Sequence, residues 1–283
     1  MKQDSTTSKR LRVRDGTELH CEWIRGSSTA WLVCVHGIGE HIGREAHLSR
    51  LFADRFNIFR YDLRGHGKSD GLRGYIDSFD TYFRDLEDIV AQLSSTHPNF
   101  RYTLFGHSMG ALIAAGFAQS CPEQAPAPER LFLASPPIGL GGRGGAMVNS
   151  LPRGLVNALC KTPFSIPIGS TLNRHNLSHD KAIARNLETD SLSLKRLHTK
   201  LLFGLVQASR EVFSRPIAAP CPIFGAIGGD DRIVSCSEAL EYFDTHEPGA
   251  DFRVFEGAYH ELHNETDEYR QPYFDFLKTV LTG

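Results

Sequence analysis

A serine stands between two glycines in residues 104–111, LFGHSMGA, where a strand-like run meets a run of small, helix-forming residues. The preceding residues 101–105 alternate and are rich in Tyr, Thr, Leu and Phe, which is typical of a strand. Residues 109–119 are rich in Ala, Leu and Ile, which is typical of a packed helix. The two glycines leave room for a sharp turn between strand and helix, so the pattern predicts an exposed Ser108 at that turn. A turn of small residues that merely allows packing is the alternative.

The same two patterns alternate along most of the chain. Strand-like runs are separated by helix-like segments: WLVCVHG, NIFRYD, RYTLFG, RLFLAS, CPIFGAIG and DFRVFE. The first of them is almost continuously apolar, which is typical of a strand buried on both faces. Strands that alternate with helices predict an α/β fold with a mostly parallel central sheet flanked by helices. Ahead of these runs, RLRVRDGTELHCEWI predicts a hairpin that turns at Asp15 and Gly16.

The strand pattern stops between residues 138 and 215. This stretch contains Gly and Pro clusters and helix-like segments, and apolar residues share one helical face at Leu194, Leu197, Leu201, Leu205, Ala208 and Val212. We therefore expect a helical cap at residues 138–215, inserted into a core formed by residues 1–137 and 216–283, with residues 1–9 as a flexible tail. Any exposed part of the apolar helix face would suit a lipid-facing mouth or a transient contact with a membrane surface.

Composition narrows the class of protein. Of the 283 residues, 41% are hydrophobic and 23% charged, as in an ordinary globular protein. A net charge of −2 argues against a nucleic-acid partner. The polar start MKQDSTTSKR is unlike a secretory signal, and no apolar run approaches the ~18 residues that span a bilayer. The six cysteines are scattered without a C-x-x-C pair, which favours reduced thiols and a cytoplasmic location. The oligomeric state is not specified by the sequence.

Four loops that follow predicted strands carry reactive side chains: HGIGEH (36–41), the Ser108 turn, GGDDRIV (228–234) and GAYHELH (257–263). In an open parallel sheet such loops meet at the carboxyl ends of the strands. A serine hydroxyl becomes a good nucleophile when a neutral imidazole takes its proton and a carboxylate orients that imidazole. Ser108, Asp231 and His260 supply these groups in the chain order Ser, Asp, His, which α/β-hydrolases use.

Neighbouring residues compete for two of these roles. Asp230 is an alternative to Asp231, but the spacing from Gly228 favours Asp231. His263 is an alternative to His260, but His260 lies nearer the end of its strand. The oxyanion of the tetrahedral intermediate also needs donors, and the backbone N–H groups of Met109 and Ile38 are the candidates.

Taken together, these motifs resemble the monoacylglycerol lipases and lysophospholipase-like serine hydrolases of the α/β-hydrolase superfamily. The similarity is most specific in HGIGEHIGR, YDLRGHGKSDG, GHSMGA and GAYHELH. It is looser through residues 138–215, which correspond to the family's cap over the acyl pocket. The resemblance implies three groups of site residues: a triad of Ser108, Asp231 and His260, an oxyanion hole of Ile38 and Met109, and a glycerol-binding group of Glu40, Arg44 and His263.

The resemblance further implies an enzyme that hydrolyses carboxylic esters of single-chain lipids, above all monoacylglycerols, with no metal or organic cofactor. Lysophospholipids and short- or medium-chain esters are the alternative substrates. Animal monoacylglycerol lipases typically carry a smaller residue at the position of Ile38, so this side chain narrows the site near the scissile carbonyl. Arg64 and His66 are expected to hold their own loop rather than contact substrate. Glu40 and Arg44 could instead form a surface ion pair.

Other classes of function fit these motifs less well. The pair His260-x-x-His263 resembles a zinc motif, but its spacing is one residue shorter than H-E-x-x-H. A ligand-binding receptor on the same scaffold is the second rival, because fold does not fix function. A haloalkane dehalogenase would carry Asp at position 108 and is disfavoured. Peptidases, thioesterases and epoxide hydrolases share the fold.

Overall fold

The computed structural model describes residues 6–26, 28–120, 122–169 and 173–283, without the side chains of residues 143 and 144. The strands are β1 (Thr6–Arg12), β2 (Glu18–Ile24), β3 (Ala30–Val35), β4 (Asn57–Tyr61), β5 (Arg101–His107), β6 (Arg130–Ala134), β7 (Pro167–Gly169), β8 (Arg196–His198), β9 (Ile223–Gly228) and β10 (Asp251–Phe255). The helices are α1 (Ala46–Phe52), α2 (Asp80–Thr96), α3 (Met109–Ser120), α4 (Gly142–Asn149), α5 (Arg153–Lys161), α6 (Lys181–Thr189), α7 (Thr199–Val212), α8 (Cys236–His246) and α9 (Asp267–Thr282). In the described part of the chain, no helix has the length and apolar character that crossing a bilayer requires.

Eight of these strands form one sheet in the order β1-β2-β4-β3-β5-β6-β9-β10. Strand β2 runs antiparallel to its two neighbours, and every pair from β4 to β10 is parallel. The mostly parallel sheet and the N-terminal hairpin that the sequence predicts are therefore confirmed. Strand β3 lies inside the sheet between β4 and β5, and residues 31–35 are all buried, as the apolar run WLVCV indicates.

The sheet has an apolar layer on each face because side chains alternate along its strands. Leu104 and Leu133 point to the layer that contains α2 and α3. Phe105 and Phe132 point to the opposite layer, which contains α1 and α9. Because both faces are covered, the polar loops lie at the two ends of the strands. The loops at the carboxyl ends of the strands carry the site described below.

One expectation about the N-terminus is wrong. Residues 6–9, expected as part of a flexible tail, belong to β1, which pairs along its whole length with β2. Most side chains of β1 are exposed, so the strand is held by backbone hydrogen bonds at the sheet edge rather than by an apolar pattern. Residues 1–5 of the expected tail lie outside the described residues.

Residues 138–215 contain α4 to α7 and a two-stranded antiparallel sheet, β7-β8, which the sequence did not predict. The helix expected to include Leu194 and Leu197 begins only at Thr199. The backbone before Thr199 forms hydrogen bonds with other segments. The N–H of Leu194 donates to Gly39 O at 2.9 Å, and the N–H of His198 donates to Gly74 O at 2.9 Å. Those contacts between distant segments prevent an earlier helical start.

The apolar face of α7 is packed rather than exposed. Leu201, Leu205, Ala208 and Val212 are all buried, and α7 packs against α3 and α5. The part of the predicted face that lies in α7 therefore leaves no exposed remainder for lipid, whereas Leu194 and Leu197, which precede α7, line a cleft described below. Large apolar side chains are exposed elsewhere in residues 138–215: Met147, Leu155, Phe164 and Ile166.

Candidate active site

The Ser108 turn is a sharp junction between β5 and α3. Ser108 has φ +52°, a left-handed conformation that a residue with a side chain rarely adopts. A Cβ at Gly106 would lie 2.3 Å from Gly110 O, and a Cβ at Gly110 would lie 2.0 Å from Val35 O. Both glycines are therefore required by close backbone approach, and the alternative of a simple packing turn does not account for the strained serine between them.

Three predicted residues from separate loops meet at this turn. His260 Nε2 lies 3.0 Å from Ser108 Oγ, and His260 Nδ1 lies 2.7 Å from Asp231 Oδ2. The other carboxylate oxygen of Asp231 accepts the N–H groups of Ile233 at 2.8 Å and Val234 at 3.0 Å. The carboxylate is thus fixed by its own loop, and it can orient the imidazole and stabilise a positive charge on it.

The competing residues lie elsewhere. Asp230, the neighbour of Asp231, is exposed. His263 is 3% exposed, and its ring packs at 4.4 Å on His47 and at 5.0 Å from His107. Burial and these two neighbouring rings lower the pKa of His263 well below its usual range. The geometry therefore places Asp231 and His260, and neither competitor, beside Ser108.

The backbone on both sides of His260 is held in place. The hydroxyl of Ser135 donates to His260 O at 2.9 Å, and the N–H of Glu261 donates to Leu177 O at 2.8 Å. The end of β9, which precedes the Asp231 loop, also packs closely here, since a Cβ at Gly228 would lie 2.3 Å from Tyr259 O. Ser135 was not predicted from the sequence, where its signal is a Ser-Pro step directly after β6.

The two candidate oxyanion donors lie on either side of the Ser108 turn. Met109 is the first residue of α3, so its N–H has no acceptor within the helix and lies at the positive end of the helix dipole. Ile38 lines the cleft in front of Ser108 and is followed by Gly39, with φ +76°. Among the described residues, neither N–H donates to another backbone group. Both amides are therefore available to a ligand.

Glu40 lines the cleft but is already committed to the protein. Its carboxylate accepts the N–H of Gly37 at 3.2 Å, and its other oxygen lies 3.3 Å from His107 Nδ1. Burial alone would raise the pKa of Glu40, but His107 and Arg44 lower it well below its usual range. Burial opposes charge on His107, yet Glu40 raises the pKa of this imidazole to about 9. The two side chains form a buried ion pair at neutral pH.

Arg44 is paired with Glu261 rather than with Glu40. Its guanidinium donates to the Glu261 carboxylate, which also accepts the side-chain amide of Asn264 at 2.6 Å. Arg44 and Glu261 both line the cleft, and Glu261 is 1% exposed. The alternative of a surface pair between Glu40 and Arg44 is wrong. Of the three predicted head-group residues, Glu40 and Arg44 line the cleft and His263 does not.

Arg64 and His66 behave as the sequence analysis expects. The Arg64 guanidinium donates to Asp85 at 2.7 Å and to Asp15 at 2.7 Å, which ties its loop to α2 and to the N-terminal hairpin. His66 Nδ1 lies 3.0 Å from Arg64 O. Neither residue lines the cleft.

A buried acid that the sequence analysis missed lies near this cluster. Glu45 is 1% exposed, and neither of its carboxylate oxygens has a partner among the described residues. Burial, and then the Glu40 carboxylate, raise the pKa of Glu45 to about 8. The acid is therefore neutral below that pH. No sequence signal separates it from an ordinary surface acid at the start of a helix.

The opposite wall of the cleft comes from residues 138–215. Four leucines line it, together with Arg174 and Ser193: Leu177, Leu187, Leu194 and Leu197. Two of these leucines were noted in the sequence as part of a helix face, and the others were missed because their position depends on contacts between distant segments. The cleft thus joins an apolar wall to a polar end at Ser108.

Comparison with known proteins gives a family and relatives. The family model described as serine aminopeptidase, S33, matches residues 26–267 of this chain. A monoglyceride lipase of Homo sapiens is 28% identical over 260 residues, which cover 90% of this chain and 83% of that protein. An uncharacterised abhydrolase domain-containing protein of Dictyostelium discoideum is 25% identical over 239 residues, 83% of this chain; the match spans only 24% of that protein.

A solved structure matches nearly the whole chain. A soluble variant of monoglyceride lipase from Saccharomyces cerevisiae, in complex with a substrate analog, superimposes with a TM-score of 0.83. The match covers 99% of this chain and 96% of the yeast protein at 18% sequence identity. At that identity the likeness concerns the fold, and it confirms the fold class predicted from the sequence.

Proposed function

This chain belongs to the serine aminopeptidase S33 family of α/β-hydrolases, and on that premise we propose that it is a carboxylic ester hydrolase that cleaves monoacylglycerols. The observation that carries the proposal is the hydrogen-bonded relay Ser108–His260–Asp231, which opens onto a cleft with an apolar wall. Such a relay activates a hydroxyl for attack on an acyl carbon.

The first half of the reaction transfers the acyl group to the enzyme. His260 Nε2, 3.0 Å from Ser108 Oγ, accepts the hydroxyl proton as the oxygen attacks the ester carbonyl. Asp231 stabilises the imidazolium that results. The N–H groups of Met109 and Ile38 donate to the oxyanion of the tetrahedral intermediate. The alcohol then leaves with the proton from His260, and an ester of Ser108 remains.

The second half releases the fatty acid. Water takes the place of the alcohol, and His260 removes a proton from it as its oxygen attacks the acyl carbon. A second tetrahedral intermediate forms at the same two amides and collapses, and the proton on His260 returns to Ser108 Oγ. The cycle needs no metal or organic cofactor.

The acids that line the cleft are not free to bind a cationic substrate. An aminopeptidase needs a carboxylate that is free to bind the substrate's terminal ammonium. Here Glu40 is paired with His107, and Glu261 is paired with Arg44. Both acids are therefore compensated, and the four leucines of the opposite wall suit an aliphatic acyl chain. These features support a single-chain lipid ester rather than a peptide with a free terminal ammonium.

The glycerol head group would contact fewer of the predicted residues than the resemblance implies. Glu40, Arg44 and Ile38 line the polar end of the cleft, where a glycerol group would lie. His263 lies behind this surface, so its contribution would be to support its neighbours. Arg174 lines the cleft without an ion-pair partner among the described side chains, and it is the feature that would suit a lysophospholipid phosphate.

We also propose that residues 138–215 contact the lipid surface transiently. Phe164 and Ile166 are 83% and 66% exposed, and Met147 is 68% exposed. The sequence has no Asp or Glu between residues 130 and 179, while it has Arg153 and Lys161 there. Exposed apolar side chains on a segment whose sequence carries cations and no acids suit an anionic membrane surface.

A substrate panel tests the proposal. It contains monoacylglycerols, lysophosphatidylcholines, p-nitrophenyl esters of graded length and an aminoacyl p-nitroanilide, with the lipids supplied both as monomers and in anionic vesicles. We expect rapid multiple turnover of monoacylglycerols, higher on vesicles, and none with Ser108→Ala, which should also lose labelling by a fluorophosphonate.

Each other result has a defined meaning. Preference for the anilide would indicate a peptidase, and preference for the phospholipid would assign the head-group role to Arg174. Tight binding of lipid without turnover would favour a receptor. Labelling that persists in Ser108→Ala would refute the triad.

A further inference from the structure

A buried carboxylate, Glu265, joins two segments that lie on opposite sides of the cleft. It is 1% exposed. Its Oε1 accepts the N–H of Tyr259 at 2.7 Å and lies 2.9 Å from His179 Nδ1. Its Oε2 accepts the N–H of His179 at 3.0 Å and lies 3.3 Å from Ser178 Oγ. One side chain thus binds backbone donors from both segments.

On one side, Glu265 fixes the loop that carries His260. Tyr259 directly precedes His260, and its N–H is the donor to Glu265. Together with the contacts at His260 O and at the N–H of Glu261, this bond restrains three consecutive residues. A loop held in this way has little freedom to shift the imidazole away from Ser108.

On the other side, Glu265 fixes residues 177–180 at the start of the acyl wall. Leu177 lines the cleft, and Ser178 and His179 bind Glu265. The hydroxyl of Ser178 also accepts the N–H of Asp180, and Asp180 caps α6 by accepting the N–H of Ala182 at 2.8 Å. Helix α6 carries Leu187 to the same wall.

Ring contacts reinforce the junction. The His179 ring stacks on Tyr259 at 3.8 Å between centroids and lies 5.2 Å from Tyr269 of α9. The Tyr259 ring also contacts Arg232, whose guanidinium lies 4.9 Å from the ring centroid. Since Arg232 follows Asp231, the junction touches the loops of both the acid and the base.

We propose that Glu265 is a positioning residue, which sets His260 and the acyl-binding wall relative to each other by binding Tyr259 and His179 at the same time. This inference rests on the proposed function, because it assigns Glu265 a role in the reaction of Ser108 and His260. Glu265 is not among the residues that line the cleft, so it acts through the segments that it binds.

The test replaces the carboxylate without changing its volume. In Glu265→Gln, one oxygen becomes an NH₂ group. In either orientation this group faces a backbone N–H, because Oε1 of Glu265 accepts the N–H of Tyr259 and Oε2 accepts the N–H groups of His179 and Thr266. The matched control is Glu268→Gln, an exposed acid of α9. The readouts are kcat and KM on p-nitrophenyl acetate and p-nitrophenyl decanoate, and the rate of fluorophosphonate labelling, each measured where circular dichroism shows a folded protein.

We expect Glu265→Gln to lower kcat on the acetate by about 10- to 100-fold, since a displacement of about 1 Å costs as much as 100-fold. On the decanoate, KM should rise as well, because the acyl wall shifts too. His179→Ala should lower kcat on the acetate less, because Tyr259 keeps its acceptor, and should still raise KM for the decanoate. Glu268→Gln should match the wild type.

Wild-type kcat, KM and labelling rate in folded Glu265→Gln would overturn the proposal, even with a lower melting temperature. If Glu265→Gln does not fold, Glu265→Asp is measured instead, because Asp keeps the charge but is too short to bind both segments. Wild-type kinetics in Glu265→Asp would likewise overturn the proposal. If the wild type fails to turn over either ester, the proposed function fails, and the labelling rates of Ser108 still decide whether Glu265 positions His260.

Discussion

The two walls of the cleft are held in different ways. On the wall formed by the strand ends, Ser108, Asp231 and His260 follow β5, β9 and β10, and the backbone beside each is fixed by hydrogen bonds or close glycine contacts. On the wall formed by residues 138–215, four leucines come from short helices, a two-stranded sheet and the links between them. The first wall carries the chemistry and the second shapes the space for the acyl chain.

This difference indicates how each property can be changed. The reacting groups depend on a few backbone distances, so a small alteration there should affect every substrate. The apolar wall acts through the area it covers, so an alteration there should affect long acyl chains and spare short ones. Variants on each wall can test this separation.

The largest effect is expected from Asp231→Asn. The oxygen of the amide should keep the N–H groups of Ile233 and Val234, so its NH₂ group would donate to His260 Nδ1 and hold the wrong tautomer of the imidazole. The negative charge that stabilises the imidazolium is also lost, so kcat should fall by about 10⁴-fold for every ester. Steady-state kinetics on p-nitrophenyl acetate and decanoate measure it.

The adjacent Asp230→Asn is the matched control, because Asp230 is exposed and makes no contact with His260. It should retain nearly full activity. Equal losses in the two variants, or a loss confined to the decanoate, would contradict the separation of the two walls.

The second-largest effect is expected in the free energy of unfolding, through the buried acid Glu45 beside the strand-end wall. The pKa of Glu45 is about 8 in the folded protein against an ordinary value of 4.5. The folded state therefore binds more protons than the unfolded state between these values, and the stability contributed by this group is lost as pH rises from 4.5 through 8. Glu45→Gln, which is neutral at every pH, should escape that loss.

Urea unfolding at pH 5.5, 7 and 9 measures this effect. The free energy of unfolding of Glu45→Gln should exceed that of the wild type by about 1 kcal/mol at pH 5.5 and by roughly 4–5 kcal/mol at pH 9. Glu123→Gln, an exposed acid, is the control and should follow the wild type throughout. A constant difference across the three pH values would mean that Glu45 is charged in the folded state.

The smallest effect is expected from the apolar wall. Leu194→Ala removes apolar area from the cleft while leaving the bond from its N–H to Gly39 O intact. For p-nitrophenyl decanoate kcat/KM should fall about ten-fold, and for the acetate it should change less than two-fold. Leu155→Ala, on the exposed part of α5, is the control. Equal losses on both esters would show that this wall also positions the reacting groups.

The sequence predicted features that depend on neighbouring residues. A serine between glycines at a strand end, and an acid and an imidazole after later strands, were recognised because local spacing determines the turns that hold them. The mostly parallel direction of the strands followed from their alternation with helices. Strand β1 was missed at residues 6–9 because backbone pairing at a sheet edge leaves no apolar pattern.

What the sequence did not predict depends on contacts between distant segments. The start of α7 was wrong because the backbone at Leu194 is bound by Gly39. The pairing of Arg44 with Glu261 joins residues far apart in the chain, and no spacing rule encodes it. Glu265 resembles an ordinary acid before a helix until the structure brings Tyr259 and His179 to it.

The close contacts of Gly106 and Gly110 also bear on protein engineering. A single additional carbon at either position would overlap a carbonyl oxygen. Libraries that diversify this turn would consist mostly of inactive members, whereas libraries directed at the leucines of the opposite wall would sample new acyl preferences on an unaltered catalytic apparatus.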